Sequence, residues 1–486
     1  MNEKLKIGWV YGLTSVFLLV NLYLVVQKDV YWLFLLPVVL IVMYYYLTAY
    51  DKILLLITFA TPLAVNISDL EAGLGISLPT EPLMFGVLII FLINVIYQNN
   101  YDKKISKHPV SYLIYMNLFW ILITTFTSEL PIVSIKFFIS RLWFVVPFFF
   151  VAALFFRKIE NIHKFLWLYL VGLLIVVIYT ISIHSQYGFD EETGHWVMDP
   201  FYNDHTAYGA ALSMFLPIAI GFIVYPKQKN WIRIVATTAT FILIIAILLS
   251  YSRAAWLSIL ASAGLFILVV FRIRYYWVLG VLILLVGLFF TFQHQIIDRL
   301  EKNKQDSSAN FTEHVKSITN ISSDASNLER INRWQAAVRL YDERPVFGWG
   351  PGTYQFVYAP FQRSREKTII STNLGDQGNA HSEYLGPLAE TGLPGMIIVI
   401  LMFATILYSG IKTYEKGNKK VKFLSMMALM GLSTYMAHGV LNNFLDTDKL
   451  SVPFWGFTAI IVALEIFHTK NPNENNHLGL KSNPED

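Results

Sequence analysis

The chain has 486 residues, 37 basic against 33 acidic for a net charge of +4, and only 14 % of it is charged. A soluble domain carries about 25 %, so a soluble enzyme, a disordered chain and a nucleic-acid binder are excluded. The 55 % of hydrophobic residues fall in long blocks, the mark of a polytopic membrane protein, and the lack of cysteine excludes disulfides, thiolate-zinc sites and Cys nucleophiles.

A helix crossing the hydrocarbon needs about 20 apolar residues. On that length the sequence predicts roughly fourteen spans, centred near residues 17, 40, 59, 90, 118, 146, 174, 215, 242, 263, 285, 403, 431 and 460. The third and fourth are short, so the expectation is an all-α protein with about 12–14 transmembrane helices. The first block reads as a retained span. It is long, lacks a small-residue cleavage site and runs at once into another apolar block.

Lysine and arginine in short loops set orientation. With Lys4 and Lys6 in the cytoplasm, alternation places there Lys103, Lys104 and Lys107; Arg157, Lys158 and Lys164; Lys227 and Lys229; Arg272 and Arg274; and Lys412, Lys416, Lys419, Lys420 and Lys422. The opposite loops carry Asp69, Glu71, Glu81, Asp190, Glu191, Glu192, Asp199, Asp204, Asp446 and Asp448. Both termini are therefore expected in the cytoplasm.

The long segment 294–393 falls on the other side. Its first part, 301–328, is rich in Ser, Asn, Asp and Lys and reads as mobile. Ile331, Trp334, Val338 and Tyr341 then recur at helical spacing, and Pro345 ends that helix. A glycine-rich turn, Phe347-Gly-Trp-Gly-Pro-Gly352, follows. A second helical stretch opens after Gly378, ends at Gly392, and Pro394 starts the next span. The expected organisation is 1–293, N-terminal spans; 294–393, a large, partly helical outer loop; 394–468, C-terminal spans; and 469–486, a disordered cytoplasmic tail.

Several residues in this plan could carry chemistry. Arg253 sits at the outer end of an apolar run, where it reads as an anion clamp for a lipid phosphate or as a snorkelling interface residue. Lys136 and Arg141 lie near the outer end of their span, where cations are disfavoured. The deeper Arg141 is the stronger candidate for a phosphate contact, and Lys136 reads more readily as a helix-end anchor. His381 is the lone histidine in the structured half of the loop. A near-neutral pKa would suit it to take a proton from a sugar hydroxyl; a surface or capping role is the alternative. Glu383 is not its partner, because side chains two apart on a helix diverge. Asp446 and Asp448 have the spacing of an oxygen-ligand pair for a divalent cation, though two acids in a short loop are more often only solvated. Asn203-Asp-His205 either binds substrate, through Asn203 and His205, or caps the helix beginning near Thr206. His438 falls inside a span, where it would pack against a polar partner. Trp349 either stacks on a sugar ring or dips into the interface.

Three segments resemble the bacterial O-antigen ligase and O-antigen polymerase superfamily. Ser252-Arg-Ala-Ala-Trp-Leu257 is similar to its Arg-x-x-x-Leu signature. Arg330-Ile-Asn-Arg-Trp334, continued by Pro345-Val-Phe-Gly-Trp-Gly-Pro-Gly352, is similar to its Arg-x-x-x-Trp helix and Pro-x-x-Gly-x-Gly turn. Ala380-His-Ser-Glu-Tyr-Leu-Gly386, running into Glu390-Thr-Gly-Leu-Pro-Gly395, fits His-x-x-x-x-Gly. They stand in the family's order across roughly residues 200–395. Ser382 departs from the Asn found there in many members.

The resemblance implies a GT-C-like glycosyltransferase of the bacterial inner membrane with a periplasmic active site. It would move a glycan from undecaprenyl diphosphate to an acceptor hydroxyl on lipid A-core or a similar glycolipid or glycan. Transfer would be inverting, with no metal and no cofactor. By motif, Arg253 and Arg330 would hold the diphosphate and His381 would act on the acceptor, making these three the catalytic candidates. Arg141, Lys136, Asn203, His205, Trp349 and Tyr384 are the candidate substrate contacts. Membrane lipids are further partners, and nucleic acid is not. The motifs leave open a polysaccharide polymerase on the same donor or a protein O-oligosaccharyltransferase. A lipid-linked oligosaccharide flippase is the reading from another class.

Overall fold

The computed structural model describes residues 3–29, 31–67, 75–98, 101–273, 325–363 and 378–469, with residues 287 and 291 besides. The expected span near residue 285, the segment 301–324 and the tail from Lys470 lie outside the described residues. The chain divides into two units, 1–54 and 55–486. The first holds two apolar helices, Glu3–Lys28 and Leu36–Thr48, and no residue of the second helix is buried.

Among the described residues, ten helices are long and apolar enough to cross a membrane. The protein is an all-α, multi-pass membrane protein. Helices dominate because hydrocarbon offers backbone groups no partner, so each segment must satisfy its own. In the larger unit they are Thr80–Tyr97, Pro109–Phe126, Pro131–Phe155, Ile159–Tyr187, His205–Val224, Asn230–Leu249, Arg253–Val270, Leu385–Lys416 and Asp448–His468. Pro109 and Pro131 each open a helix, where the missing N–H costs nothing. Asp204 and Ser252 cap the next turns with their side-chain oxygens.

Three predicted spans differ; near residue 40 the helix Leu36–Thr48 has only 13 residues and is not among the ten. Near residue 59 the helix Tyr50–Ala60 has only 11 residues, and the turn Thr61–Leu63 with Pro62 ends it ahead of a two-stranded antiparallel hairpin, Val65–Ile67 and Ile76–Leu78. The buried Lys449 ammonium donates to the Thr61 carbonyl at 2.7 Å and to that of Ala64. Helix Lys419–His438 carries three lysines in its first turn and is not among the ten. It packs against the 205–224, 253–270, 385–416 and 448–463 helices.

Polar groups gather at the two ends of this bundle. At one end Lys412 and His108 both meet Glu465, at 2.7 and 3.2 Å, and Arg157 pairs with Asp102. At the other end helices 205–224, 253–270, 385–416 and 448–463 begin and helix 419–438 finishes. The residues 325–363 and 378–384 lie there. Helix Ala325–Glu343 brings Ala337 and Leu340 into a small core with Tyr354, Tyr358, Ala380 and Ala389.

Helix Leu385–Lys416 is broken at Gly392, whose φ is +71°. Pro394 cannot donate to the Glu390 carbonyl four residues back. The turn 345–352 takes up the released groups: Trp349 N–H donates to Ala389 O at 3.1 Å, Gly350 N–H to Glu390 O at 2.8 Å, and Leu393 N–H returns to Pro345 O at 2.9 Å. Gly350, at φ +115°, fits because a Cβ there would come within 2.0 Å of Ser128 Oγ. The glycines of this motif therefore fasten the outer layer to the broken helix.

Candidate active site

His381 is placed by its backbone. Its φ is +47°, a left-handed conformation that a non-glycine residue holds only when its surroundings insist. Its N–H donates to Asn379 Oδ1 at 3.1 Å, and its carbonyl accepts from Trp334 Nε1 at 3.4 Å. Asn379 is in turn fixed by Arg333, whose Nη1 donates to the Asn379 carbonyl at 3.2 Å while its Nε donates to Glu329 at 2.8 Å. Arg333 also lies over the Tyr358 ring at 5.5 Å. Arg333 is thus largely buried scaffold, and the 325–343 helix aims the histidine.

The His381 ring meets groups from three further elements. Arg330 and Arg333 act on it from the 325–343 helix, Asp204 from the start of the 205–224 helix, and the Asn442 side chain from the loop after His438. Asn442 Nδ2 stands 3.1 Å from His438 Nε2. The Ala254 backbone, in the first turn of the helix that Arg253 opens, is among the groups acting on the His438 ring. His381 thus lies within electrostatic reach of Arg330, and Arg253 Nη1 is buried.

Burial pushes the His381 imidazole down to about 4, and the guanidinium groups of Arg333 and Arg330 push it the same way. The near-neutral value expected from the sequence is displaced by these neighbours. At neutral pH the ring is unprotonated and holds a lone pair ready for a proton.

The remaining sequence candidates divide. His205 belongs to the cluster: its Nδ1 lies 3.2 Å from Asp204 Oδ1, and its ring stacks on His195 at 4.3 Å. Asn203 is exposed beside it. Lys136 is exposed on helix Pro131–Val145. Trp349 packs against the small core, donates Nε1 to Leu340 O at 2.9 Å and carries Arg344 over its ring at 4.1 Å. Tyr384 donates to Met436 O at 2.9 Å. Asp446 is exposed, whereas Asp448 is buried and accepts from Thr80 Oγ1 at 2.6 Å, so the two acids have different surroundings.

Arg141 lies elsewhere, in a small, mostly apolar chamber of about 50 Å³ that it shares with Glu383, Glu390, Asn117, Phe403 and Trp455. It donates to the Leu445 carbonyl at 2.9 Å. Glu383 Oε1 accepts from Phe444 N–H at 2.8 Å, Leu445 N–H at 3.0 Å and the Tyr435 hydroxyl, and Glu383 N–H donates to Gly439 O at 2.7 Å. The loop carrying Asn442 is clamped by these contacts. The sequence reading missed Asn442 and Arg333 and took Asp204 only as part of the Asn203-Asp-His205 segment. The Asp-His pair at a helix start and an Asn four residues after His438 were the available signals.

Residues 238–400 match the O-Antigen ligase family model. The stretch runs from the helix before Arg253, through His381, to the broken helix. Over these residues the chain is similar to the O-antigen ligase family. An uncharacterized protein of Haemophilus influenzae is 24 % identical over 116 residues, covering 24 % of this chain. The match spans 28 % of that relative's length. The ligase-family segment contains both arginines and the histidine of the cluster, while Asp204, His438 and Asn442 are supplied from outside it.

Proposed function

We propose that this protein transfers a glycan from a polyprenyl diphosphate, undecaprenyl diphosphate in a bacterium, to the hydroxyl of a glycolipid or glycan acceptor, in the manner of an O-antigen ligase. The observation that carries the reading is the meeting of an unprotonated, backbone-fixed His381 with Arg330 at the end of a membrane bundle, inside the segment that matches the ligase family.

The chemistry follows from the charges. As the bond from the sugar's anomeric carbon to the diphosphate oxygen breaks, negative charge grows on the leaving group. Fixed guanidinium groups stabilise it, more strongly where water is scarce. Arg330 and Arg253 have the planar fork that fits phosphate oxygens. The acceptor oxygen attacks the same carbon from the opposite face while His381 takes its proton. One displacement inverts the configuration. Bringing the diphosphate beside Arg330 also offsets the positive charge that lowers the basicity of His381, so donor binding prepares the base.

The lysine-rich end of the bundle fits the cytoplasmic side and the His381 end the periplasmic side, by the positive-inside tendency. The polyprenyl tail then lies along the apolar helices while the layer formed by 325–363 covers the sugar.

Reconstitution with a defined polyprenyl-diphosphate glycan and candidate acceptors tests this. Wild type is expected to release polyprenyl diphosphate and yield one acceptor–glycan product of the donor's length, and His381→Ala to yield none while inserting normally. Ladders of growing length on the carrier would assign a polymerase instead, and glycan on protein an oligosaccharyltransferase. Full activity of His381→Ala would remove the mechanism.

A further inference from the structure

We propose that the loop after helix Ile159–His184 is a glycan subsite, in which Tyr187 and Trp196 form a platform for a sugar ring of the donor, a few units out from its diphosphate. The proposal deepens the transfer reading above and rests on it for the identity of that glycan.

Two aromatic rings of this loop pack on each other and still face outward. Tyr187 closes the turn Ser185–Tyr187 that ends the helix, and Trp196 follows the short helix Glu191–Gly194. The ring centroids stand 5.3 Å apart with their planes at 76°, so the pair makes an open corner. Tyr187 is 49 % exposed and Trp196 48 %, which leaves half of each residue available for a ligand. A corner of this kind takes the apolar C–H face of a pyranose on one ring while the other borders its edge.

The backbone beneath the rings is tied down. Asp190 caps the short helix, accepting the Thr193 N–H at 2.9 Å and the Thr193 hydroxyl at 2.7 Å, and its carbonyl accepts from His184 Nε2 at 2.8 Å. The Trp196 N–H donates to Thr193 O at 3.1 Å, and its carbonyl accepts the Asp199 N–H at 3.0 Å. The Tyr179 hydroxyl donates to Asp199 O at 3.1 Å. Rings held in place beforehand lose little freedom on binding.

Direct contacts set this loop against the start of the helix that Arg253 opens. The Tyr251 hydroxyl donates to the Phe189 carbonyl at 2.6 Å. The Tyr251 ring lies so close to Gly194 that a Cβ there would come within 2.7 Å of its Cδ2. Trp196 is two residues from Gly194 and Arg253 two residues from Tyr251, each at most about 7 Å of chain. A glycan whose diphosphate rests on Arg253 therefore passes the platform within a few sugar lengths.

Charge decides between a sugar and a lipid surface. Exposed tyrosine and tryptophan at a helix end also serve as membrane-interface anchors. Here the exposed residues Asp190, Glu192 and Asp199 share the loop. Carboxylates repel lipid phosphates and are expensive to carry into the membrane, whereas their oxygens accept hydrogen bonds from sugar hydroxyls.

Equilibrium binding of two probes to the full-length protein in detergent tests the platform without turnover. One probe is a polyprenyl diphosphate carrying a defined glycan of several sugars, and the other is the same carrier bare. Wild type is expected to bind the glycan-bearing probe more tightly. Trp196→Ala is expected to lose roughly tenfold of that preference, with its affinity for the bare carrier and its melting near wild type. Trp196→Phe keeps a ring and is expected to retain most of the preference. Tyr187→Ala supplies the same test if Trp196→Ala folds poorly. In the transfer assay Trp196→Ala is expected to raise the KM of the glycan-bearing donor by about tenfold at unchanged kcat. A wild type that binds both probes alike, or a preference that survives in both alanine variants, would overturn the platform. Equal losses on the two probes would overturn it too and make the pair an interface anchor. A wild type that shows the preference and transfers nothing would end the transfer reading and leave the subsite standing.

Discussion

Arg141 and Glu383 hold Leu445 by its two backbone groups: the guanidinium donates to the carbonyl at 2.9 Å, and the carboxylate accepts the N–H at 3.0 Å. One side chain comes from the 131–145 helix and the other from the residues just after His381. Between them they fix the loop that presents Asn442 to the two histidines.

Glu383→Ala leaves the Leu445 N–H and the Tyr435 hydroxyl without their acceptor, while Phe444 N–H keeps Tyr435 Oη at 3.1 Å. Each buried donor left unsatisfied costs about 1–3 kcal/mol, so a clear fall in melting temperature is expected, together with loss of transfer. Glu383→Gln keeps an acceptor oxygen and is expected to fall between. Thermal unfolding in detergent checks this, and a wild-type melt for the alanine variant would show that the clamp carries no load.

Arg141→Gln is expected to lower kcat with little change in donor KM, because Arg141 reaches a loop carbonyl and lines the chamber beside Glu383. The sequence reading gave it a phosphate contact. Steady-state kinetics over donor concentration separate the two roles: a donor KM raised tenfold or more would restore the phosphate contact.

The low pKa of His381 has two consequences with opposite reporters. The acid limb of kcat/KM, which reports the free enzyme, is expected near 4, below the ordinary histidine value of about 6.5. The limb of kcat is expected at higher pH, since bound diphosphate offsets the arginines. For stability, the unfolded chain binds more protons at this residue than the folded one between the two values. The His381 contribution is therefore present in full above about 6.5 and is lost as pH falls through about 4. Melting at pH 5 against pH 7, in wild type and His381→Gln, checks the sign: the wild type should lose more on acidification.

Gly392→Ala is expected to destabilise the outer layer. The position has φ +71°, and an added Cβ would come within 2.2 Å of the Val346 carbonyl. Strain and clash act together, with a cost on the order of 1–3 kcal/mol or more. Faster proteolysis between residues 345 and 363, with the transmembrane helices still protected, is the expected sign. An unchanged cleavage pattern would mean the turn does not depend on the break.

Arg253→Lys is expected to cut transfer strongly, since a point charge does not reproduce the fork of a guanidinium on a diphosphate. Rates equal to wild type would return Arg253 to an interface anchor.

The spans were legible in the sequence because crossing a membrane is a local property, readable from some twenty consecutive apolar residues. The exceptions are instructive. Near residue 59, Pro62 cut the apolar run short, and Lys449 donates to the Thr61 carbonyl from 388 positions away along the chain. The break at Gly392 was legible too, since glycine and proline announce it locally, and so was the candidacy of His381 and the two arginines, through motifs that fix residue types at fixed spacings.

What the chain could not announce was company. Trp349 reads as a sugar platform until its indole is seen donating to Leu340, and Asp446 and Asp448 read as a pair until one is found buried against Thr80. Asp204, Asn442 and His438 lie on elements far apart in sequence, and only the packing of helices 205–224, 253–270 and 419–438 sets them around His381. The sequence alone determined a multi-helix membrane protein with a histidine and two arginines as its chemical candidates. Tertiary structure alone decided the ring's charge and its neighbours, because desolvation and Coulomb forces depend on distance through space.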